Sequence, residues 1–570
     1  MWVEAQTDSN HDGRNDRIAI DLMRPAETEE GMKVASVMES SPYYGRSFPG
    51  GGEVPPDGPR GFLRWYDEFF VPRGYAVVEV EMVGTSRSEG CPTIGGVEET
   101  RSIEAAVDWL NGRAPAWYGD GSPAVASWST GDVGMLGVSY NGTLPNAVAT
   151  QGTEGLRTIV PIAAISSWYD YARDHGIAFS SWANRYPEFL ANYVSVGRTI
   201  PGAAEECEDD IVLLGDLADD ATDDFTDFWA ERNYVPDANK IKTEKTAVFM
   251  VHGLEDWNVK RAHFSRLWYE VAKRNMPRKI WLHRGGHSDP ISLRRTEWER
   301  AMHRWMDHWL YGIQNGIMSE PMADIQRPDG TWTTDTRWPS AGTQDVKLRL
   351  GPATAQVAGT LSFDQSAQAT QTFTDHLTQS ESAMMSNAEL TKPNRLAFVT
   401  PALAAPVRLS GTPRVQVRFA SSTASTPLTA LLVDYGEAAQ TIVADQTPLE
   451  LLALPCNAEN VANATGCAEA PETFTVITPQ RVVSRGAIDG KNNVDLRFAS
   501  PLVPDRAYNI EWDLQPHDYV FPAGHRIGLV LVANNRSYIR RDTLAGQVTV
   551  YLGNSELVLP VVGGKQALGF

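Results

Sequence analysis

The sequence predicts an α/β protein in two parts: a wound, largely parallel sheet interrupted by a helical insertion, then an all-β sandwich of jelly-roll type. Three observations carry this. Apolar strands alternate with amphipathic helices over residues 1–166 and again over 243–316. Residues 167–242, between them, are rich in Trp, Tyr, Asp and Glu and show no strand period. Over 317–570 the helical signals stop and short alternating runs with turns take over. The expected domains are therefore a wound-sheet domain (1–166 and 243–316), an inserted cap (167–242) and a β domain (317–570).

Taken in order, Trp2–Ala5 and Arg17–Met23 read as the strands of a hairpin. The turn between them sets Asp8, Asn10, Asp12 and Asp16 around Gly13, as half of a calcium loop does. Ala19 stands where that loop needs its last acid, so a turn without metal is the expectation and calcium the alternative. Met32–Glu39 is an apolar strand ending in Ser40-Ser-Pro-Tyr43-Tyr-Gly45, and Gly74–Met82 is another, leading into a Gly84–Gly90 loop. Glu99–Ala114 places Ile103, Ala106, Val107 and Leu110 on one helical face. A strand from Asp132 runs to Ser139, a helix follows (Leu144–Thr150), and Ile159–Ile165 is the next strand. Beyond the insertion come strand Thr246–Val251, helix Lys260–Asn275, strand Lys279–Leu282 and helix Leu293–Ile313. In the last part strands are expected at Val346–Leu350, Val407–Leu409, Val415–Phe419, Leu428–Val433, Val494–Phe498, Ile527–Val532, Val548–Leu552 and Leu557–Val561. Loops are expected near 353–370 and 420–427.

A net charge of −21 argues against a nucleic-acid surface, and no apolar run is long enough to cross a bilayer. Cys91, Cys207, Cys456 and Cys467 form no Cys-x-x-Cys pair, so no zinc site is expected. Cys456 and Cys467 bracket a polar loop and suit a local disulfide in an oxidising compartment, with free buried thiols as the alternative. Met1-Trp2-Val3-Glu4 has no basic or apolar leader and begins almost inside a strand. A secreted or periplasmic protein whose leader is absent from this chain is expected, with the cytoplasm as the alternative. The oligomeric state is not legible, and a homodimer stays open.

The chemistry concentrates at three strand ends. Gly137-Val138-Ser139-Tyr140-Asn141-Gly142 approximates a nucleophile elbow, with the second glycine one place later than Gly-x-Ser-x-Gly requires. Asn tolerates the left-handed region, so the turn is feasible, although a plain glycine-rich turn explains the same residues. A serine hydroxyl needs a base, and the base needs an acid to hold its tautomer; in wound-sheet hydrolases they follow in the order Ser, Asp or Glu, His. Strand 246–251 ends in His252-Gly-Leu-Glu255-Asp256-Trp-Asn258, and strand 279–282 in His283-Arg-Gly-Gly-His287. Asp256, deeper in its loop than Glu255, is the expected acid. His287, after two glycines, is the expected base, since His283 still belongs to the strand. The Tyr140 N–H, next to the nucleophile, and the Tyr43 phenol are the expected oxyanion donors.

Gly-Val-Ser-Tyr-Asn-Gly-Thr-Leu-Pro (137–145), Ser-Trp-Tyr-Asp-Tyr (167–171), His-Gly-Leu-Glu-Asp-Trp-Asn-Val-Lys (252–260) and Asp-His-Trp-Leu-Tyr-Gly (307–312) resemble the X-prolyl dipeptidyl aminopeptidases, serine peptidases related to cocaine esterase and the α-amino acid ester hydrolases. The resemblance implies an α/β-hydrolase domain, a helical cap and a C-terminal jelly roll. It also implies release of Xaa-Pro dipeptides from peptides with proline in second position and a free amino terminus, without a cofactor. By motif match Ser139, Asp256 and His287 become the triad and Tyr43 the oxyanion phenol. Trp168 and Tyr171 would line the proline pocket, and Asn258 would bind a substrate carbonyl. A cap carboxylate is expected to hold the substrate ammonium, with Glu188, Glu205 and Glu206 as candidates. The rival readings are an esterase or acylase on the same scaffold, and an inert binding protein whose jelly roll recognises carbohydrate or a surface.

Overall fold

A computed structural model describes residues 1–45, 65–182, 184–241, 246–354, 356–364, 369–443, 473–540 and 546–570. Strands β1 (Trp2–Glu4), β2 (Arg17–Met23), β3 (Val34–Ser41), β4 (Ala76–Glu81), β5 (Ala116–Trp117), β6 (Ser129–Val138) and β7 (Leu156–Ile162) precede a two-stranded hairpin in the cap, β8 (Arg173–Asp174) and β9 (Ile177–Ala178). After the cap come β10 (Ala247–Gly253), β11 (Arg278–His283), β12 (Ala323–Gln326) and β13 (Trp332–Asp335). All but the cap hairpin form one sheet, in the order β13-β12-β11-β10-β7-β6-β3-β4-β2-β1-β5. From β12 to β4 every neighbouring pair is parallel.

Such a sheet must be covered on both faces, which is why β3, β4 and β10 are buried along their whole length. Met135 and Ile159 face the cluster packed by helices Val97–Leu110, Tyr140–Thr150 and Ala262–Lys273. Leu136 and Val160 face the opposite cluster, built on helix Arg295–Tyr311 with Trp298, Met302 and Trp305. The chain winds outward from β3 to β4 on one side and from β6 to β7, β10 and β11 on the other. The crevice where strand order reverses therefore lies at the carboxyl ends of β3 and β6, where open α/β sheets bind ligands. The sheet also takes β12 and β13 from beyond residue 316, so it extends past the boundary read from the loss of helical signals.

The cap carries helices Trp168–Ala172, Tyr186–Val194, Ala203–Glu206, Glu208–Leu217 and Asp227–Glu231. The β8–β9 hairpin inside it was not legible, because two-residue strands are too short for a period. The C-terminal strands enclose a main apolar core, with Val346, Leu348, Phe419, Leu432, Leu529 and Leu559 among its members, and a smaller one that includes Met384, Leu431, Val433 and Val530. Val548–Leu552 and Leu557–Val561 are halves of one strand, Gln547–Val562. Val494–Phe498 is not a strand: Val494 is 81% and Phe498 72% exposed. The Leu496 carbonyl instead accepts from Phe225 N–H at 2.7 Å, so the segment docks on the cap. Leu396–Val399 and Gly359–Ser362 are strands that the sequence reading left out or took for loop.

The 5–16 turn closes on itself. Asp16 Oδ2 accepts from Thr7 Oγ1, Ser9 N and Ser9 Oγ at 2.8–2.9 Å, Asp8 accepts the N–H groups of Asp12 and Gly13, and Asp12 that of Arg14. Asn10 Nδ2 donates to Glu206. Among the described residues no group of three or more His, Cys, Asp or Glu side chains is placed to hold a metal ion. Cys456 and Cys467 lie outside the described residues. Cys91 and Cys207, which the sequence left unpaired, form a disulfide with a Cα–Cα distance of 5.5 Å, tying the loop after β4 to the cap.

That bridge spans 116 residues, for which chain entropy gives about 5 kcal/mol of stabilisation. Cys91→Ser/Cys207→Ser is expected to lower Tm in thermal unfolding, and reductant should lower the parent Tm by more than that of the variant.

Candidate active site

At the end of β6 Ser139 adopts φ 63° and ψ −124°, a conformation that a non-glycine residue holds only when its surroundings impose it. Here Ser139 N–H donates to the Ile162 carbonyl of β7 at 2.9 Å, while its own carbonyl accepts from Gly142 and Thr143 N–H. The displaced second glycine has a reason. A Cβ at Gly142 would lie 2.5 Å from the Gly137 carbonyl oxygen and 2.9 Å from that of Ile162, and one at Gly137 would lie 2.5 Å from the Asn141 carbonyl oxygen. Asn141, in the position where the common motif has glycine, donates through Nδ2 to Glu39 Oε1 at 3.1 Å, and Tyr44 donates to Glu39 Oε2 at 2.9 Å. The elbow is thereby fastened to the end of β3. The helix that follows begins at Tyr140, whose N–H, as the first of the helix, has no intrahelical acceptor.

Asp256 and His287 stand on the loops just past β10 and β11. His287 Nδ1 donates to Asp256 Oδ2 at 2.7 Å, and Asp256 Oδ1 accepts from Asn258 N–H (2.9 Å) and Val259 N–H (3.0 Å). Burial by itself would raise the Asp256 pKa, but His287 and these donors outweigh it and hold the carboxyl below its ordinary value. His287 Nε2 is buried and has no hydrogen-bond partner among the described residues. Glu255, the competing acid, turns the other way, toward Arg284 (3.1 Å) and Arg481. His283 accepts Gly285 N–H at Nδ1, and burial drives its pKa down to about 3. His252 donates from Nε2 to the Val259 carbonyl and is driven down by burial to about 4. Both are neutral fixtures of the loop bases.

The aromatic residues form a wall beside the elbow. Tyr140 meets Trp168 edge-on with ring centroids 4.8 Å apart and Tyr43 at 6.0 Å; Trp168 meets Tyr171 at 5.7 Å. Tyr171 also packs on Trp182 (4.6 Å) and Tyr186 (5.7 Å), and its hydroxyl donates to Asn258 Oδ1 at 2.9 Å. Trp168 is braced from behind by Nε1–H to Tyr234, and the Tyr140 hydroxyl donates to buried Glu99, whose carboxyl burial raises to about 7. The structure thus brings Tyr43, Tyr140, Trp168, Tyr171 and Asn258 into one connected set. Of the cap carboxylates, Glu188 pairs with Arg185, Glu206 accepts from Asn10, and Glu205 is exposed on its helix.

The sequence reading gave no role to Trp182, Tyr186 or Lys260. Spacing alone offers no signal for the first two: Trp182 lies in the loop after β9, and Tyr186 is the first residue of its helix. Lys260 is buried, has no hydrogen-bond partner at Nζ among the described residues, and lies 3.6 Å from the Phe179 ring centroid and 5.8 Å from that of Trp182. Burial lowers its pKa to about 7, against the pull of Asp256 and Asp174.

The family described as X-Pro dipeptidyl-peptidase (S15 family) matches residues 12–289, and the X-Pro dipeptidyl-peptidase C-terminal non-catalytic domain matches 315–567. A Bacillus cereus protein provisionally named Xaa-Pro dipeptidyl-peptidase is 40% identical over 577 residues, covering 99% of this chain and 90% of its own. The Xaa-Pro dipeptidyl-peptidase of Lacticaseibacillus casei is 28% identical, covering 98% and 76%. Among solved structures, a CocE/NonD family hydrolase from Staphylococcus aureus superposes with a TM-score of 0.66 at 16% identity over 98% of this chain and 93% of its own. An α-amino acid ester hydrolase gives 0.65 at 16% over 98% and 96%. These two likenesses bear on the fold alone.

The buried amine yields a pH prediction. A lysine whose folded pKa (about 7) lies below its ordinary 10.5 destabilises the fold wherever the folded chain must carry the charge. That penalty is complete below about pH 7 and fades as pH rises from about 7 to 10.5. Lys260→Met is therefore expected to raise Tm most at pH 6 and least at pH 10; a pH-independent difference in thermal unfolding would contradict this.

Proposed function

The chain belongs to the X-Pro dipeptidyl-peptidase (S15) family, and on that premise we propose a serine exopeptidase that releases Xaa-Pro dipeptides from the free N-terminus of peptides through an acyl-enzyme. The observation that carries the reading is the His287–Asp256 hydrogen bond, which leaves His287 Nε2 without a hydrogen-bond partner among the described residues, together with the strained elbow at Ser139. His287 takes the Ser139 proton as Oγ attacks the carbonyl after proline. Asp256, buried and ionised, holds the imidazole in one tautomer and stabilises the imidazolium. The Tyr140 N–H and the Tyr43 phenol receive the oxyanion, a donor of this kind contributing about 10²- to 10³-fold in kcat. His287 then passes its proton to the departing amine, and water activated by the same imidazole releases the dipeptide.

Proline suits the aromatic wall because its ring is compact and rigid, so little conformational freedom is lost on docking. Trp168 and Tyr171 are assigned to that contact. Asn258 is assigned to a substrate carbonyl: its Oδ1 is engaged by Tyr171, which leaves the Nδ2 amide to donate. The 8–16 loop is assigned to a turn, and no step of the proposed acyl transfer is routed through a cofactor. No helix among the described residues is long and apolar enough to cross a membrane. The Cys91–Cys207 disulfide supports an exported location.

Glycyl-prolyl-anilide is expected to be cleaved, and its N-acetyl form and the glycyl-alanyl analogue to be poor substrates. Equal turnover of the acylated form, or of simple esters, would favour the esterase or acylase reading. Ser139→Ala is expected to lose about 10⁶-fold in kcat and all labelling by a fluorophosphonate. Labelling that survives the substitution would remove Ser139 from the mechanism. Treatment with EGTA should leave both Tm and activity unchanged; a loss restored by calcium would reassign Asp8, Asn10, Asp12 and Asp16 as ligands.

A further inference from the structure

The turn that carries Asp256 is gripped from outside its own domain. Glu255, the residue before the acid, pairs with Arg481 of the C-terminal β domain as well as with Arg284 at 3.1 Å. Trp257, the residue after it, lies under the guanidinium of Arg485, 4.0 Å from the ring centroid, and edge-on to Tyr538 at 6.3 Å. Both of those partners also belong to the β domain. Arg485 is itself held by Glu381 at 3.0 Å. A third tie passes through Arg261, which donates from Nη1 to the Leu254 carbonyl (2.7 Å) and from Nη2 to the Val483 carbonyl (3.3 Å). A fourth joins Ala262 N–H to Gln515 Oε1 at 2.9 Å.

We propose that this β domain is a working part of the catalytic machinery, in which Arg481 acts through Glu255 as a positioning residue that sets Asp256 against His287. The inference rests on the triad assigned above. Its physical basis is that Asp256 does not choose its own position. One carboxylate oxygen is committed to the N–H groups of Asn258 and Val259 on the same turn, so the turn and the carboxylate move together. Glu255 and Asp256 are adjacent and point to opposite sides, one into the β domain and one to the imidazole. Releasing Glu255 lets the peptide between them pivot and carries Asp256 with it. The charged and titratable groups around Glu255 are Arg284 and Arg261 from the hydrolase domain and Arg481, Arg485 and His517 from the β domain. Although burial opposes ionisation, these arginines hold the Glu255 carboxyl below its ordinary value, so the clamp is charged throughout the working range.

The test measures glycyl-prolyl-anilide hydrolysis by Arg481→Met, Arg481→Lys, Glu255→Gln and the Arg481→Met/Glu255→Gln pair, with the parent and Ser139→Ala as references. Arg481→Met is expected to lower kcat on the order of 10- to 100-fold with KM within about twofold, as a displaced catalytic group does. The acid limb of kcat/KM should also move, because the Asp256 carboxylate would no longer sit squarely on the imidazole. Arg481→Lys should recover most of kcat, and the double variant should be no slower than the slower single one. If Arg481→Met does not fold, Glu255→Gln carries the same two readouts. A lower Tm with kcat and the acid limb unchanged would overturn the proposal, as would a rise in KM alone. Ser139→Ala keeps the two readings apart: if it retains activity the triad assignment has failed, whereas normal loss there with an unaffected Arg481→Met enzyme defeats only the clamp.

Discussion

The left-handed backbone at Ser139 is the constraint on which the site depends. A serine held there costs of order 1–3 kcal/mol, and the cost is borne by the sheet. The Ile162 carbonyl receives the Ser139 N–H, and Gly137 and Gly142 approach so closely that neither position tolerates a Cβ. Because β6 is flanked by β3 and β7, the same turn fixes the serine against both neighbours: Asn141 reaches Glu39 on β3 while the backbone bonds to β7. A hydroxyl placed this way precedes the first turn of a helix whose unpaired N–H groups attract negative charge. The strain at Ser139 and the unpaired first N–H of the helix, on which the proposed nucleophile and oxyanion donor rest, are consequences of one backbone conformation.

Around that turn, burial sorts the titratable groups by the company they keep. Asp256 is enclosed and Glu255 half-buried, yet each has enough hydrogen bonds or cationic neighbours to remain ionised. His252 and His283 are enclosed with backbone partners at one nitrogen and lose their basicity. His287 differs from both in having a carboxylate at one ring nitrogen and, among the described residues, no hydrogen-bond partner at the other. A general base requires that combination, and it is produced by the loop geometry rather than by the imidazole itself.

Much of this was legible in the chain. Strand-to-turn transitions mark Ser139, Asp256 and His287 because each follows an unbroken apolar run, and glycines flank the serine and precede the histidine. The Trp168–Tyr171 wall came from a block of aromatic residues that resembles a known family. What escaped reading depends on contacts between distant segments. Cys91 and Cys207 are 116 residues apart, so no spacing could pair them, and the role of Lys260 follows from burial that a charged residue does not advertise. Val494–Phe498 alternates as a strand does but pairs with the cap, since periodicity records a half-buried face and not the element that covers it. Trp182 sits in irregular chain and Tyr186 at the first residue of a short helix, where no period places them.

The cap is attached on two sides. The disulfide to Cys91 and the Thr199 N–H to Ser86 carbonyl bond hold one flank to the loop after β4. Ser180 N–H to Tyr538 carbonyl and Arg540 N–H to Ala178 carbonyl hold the other to the β domain. A roof moored to both walls cannot be lifted from one side alone: the hydrogen bonds to the β domain would have to part while the disulfide still holds the opposite flank.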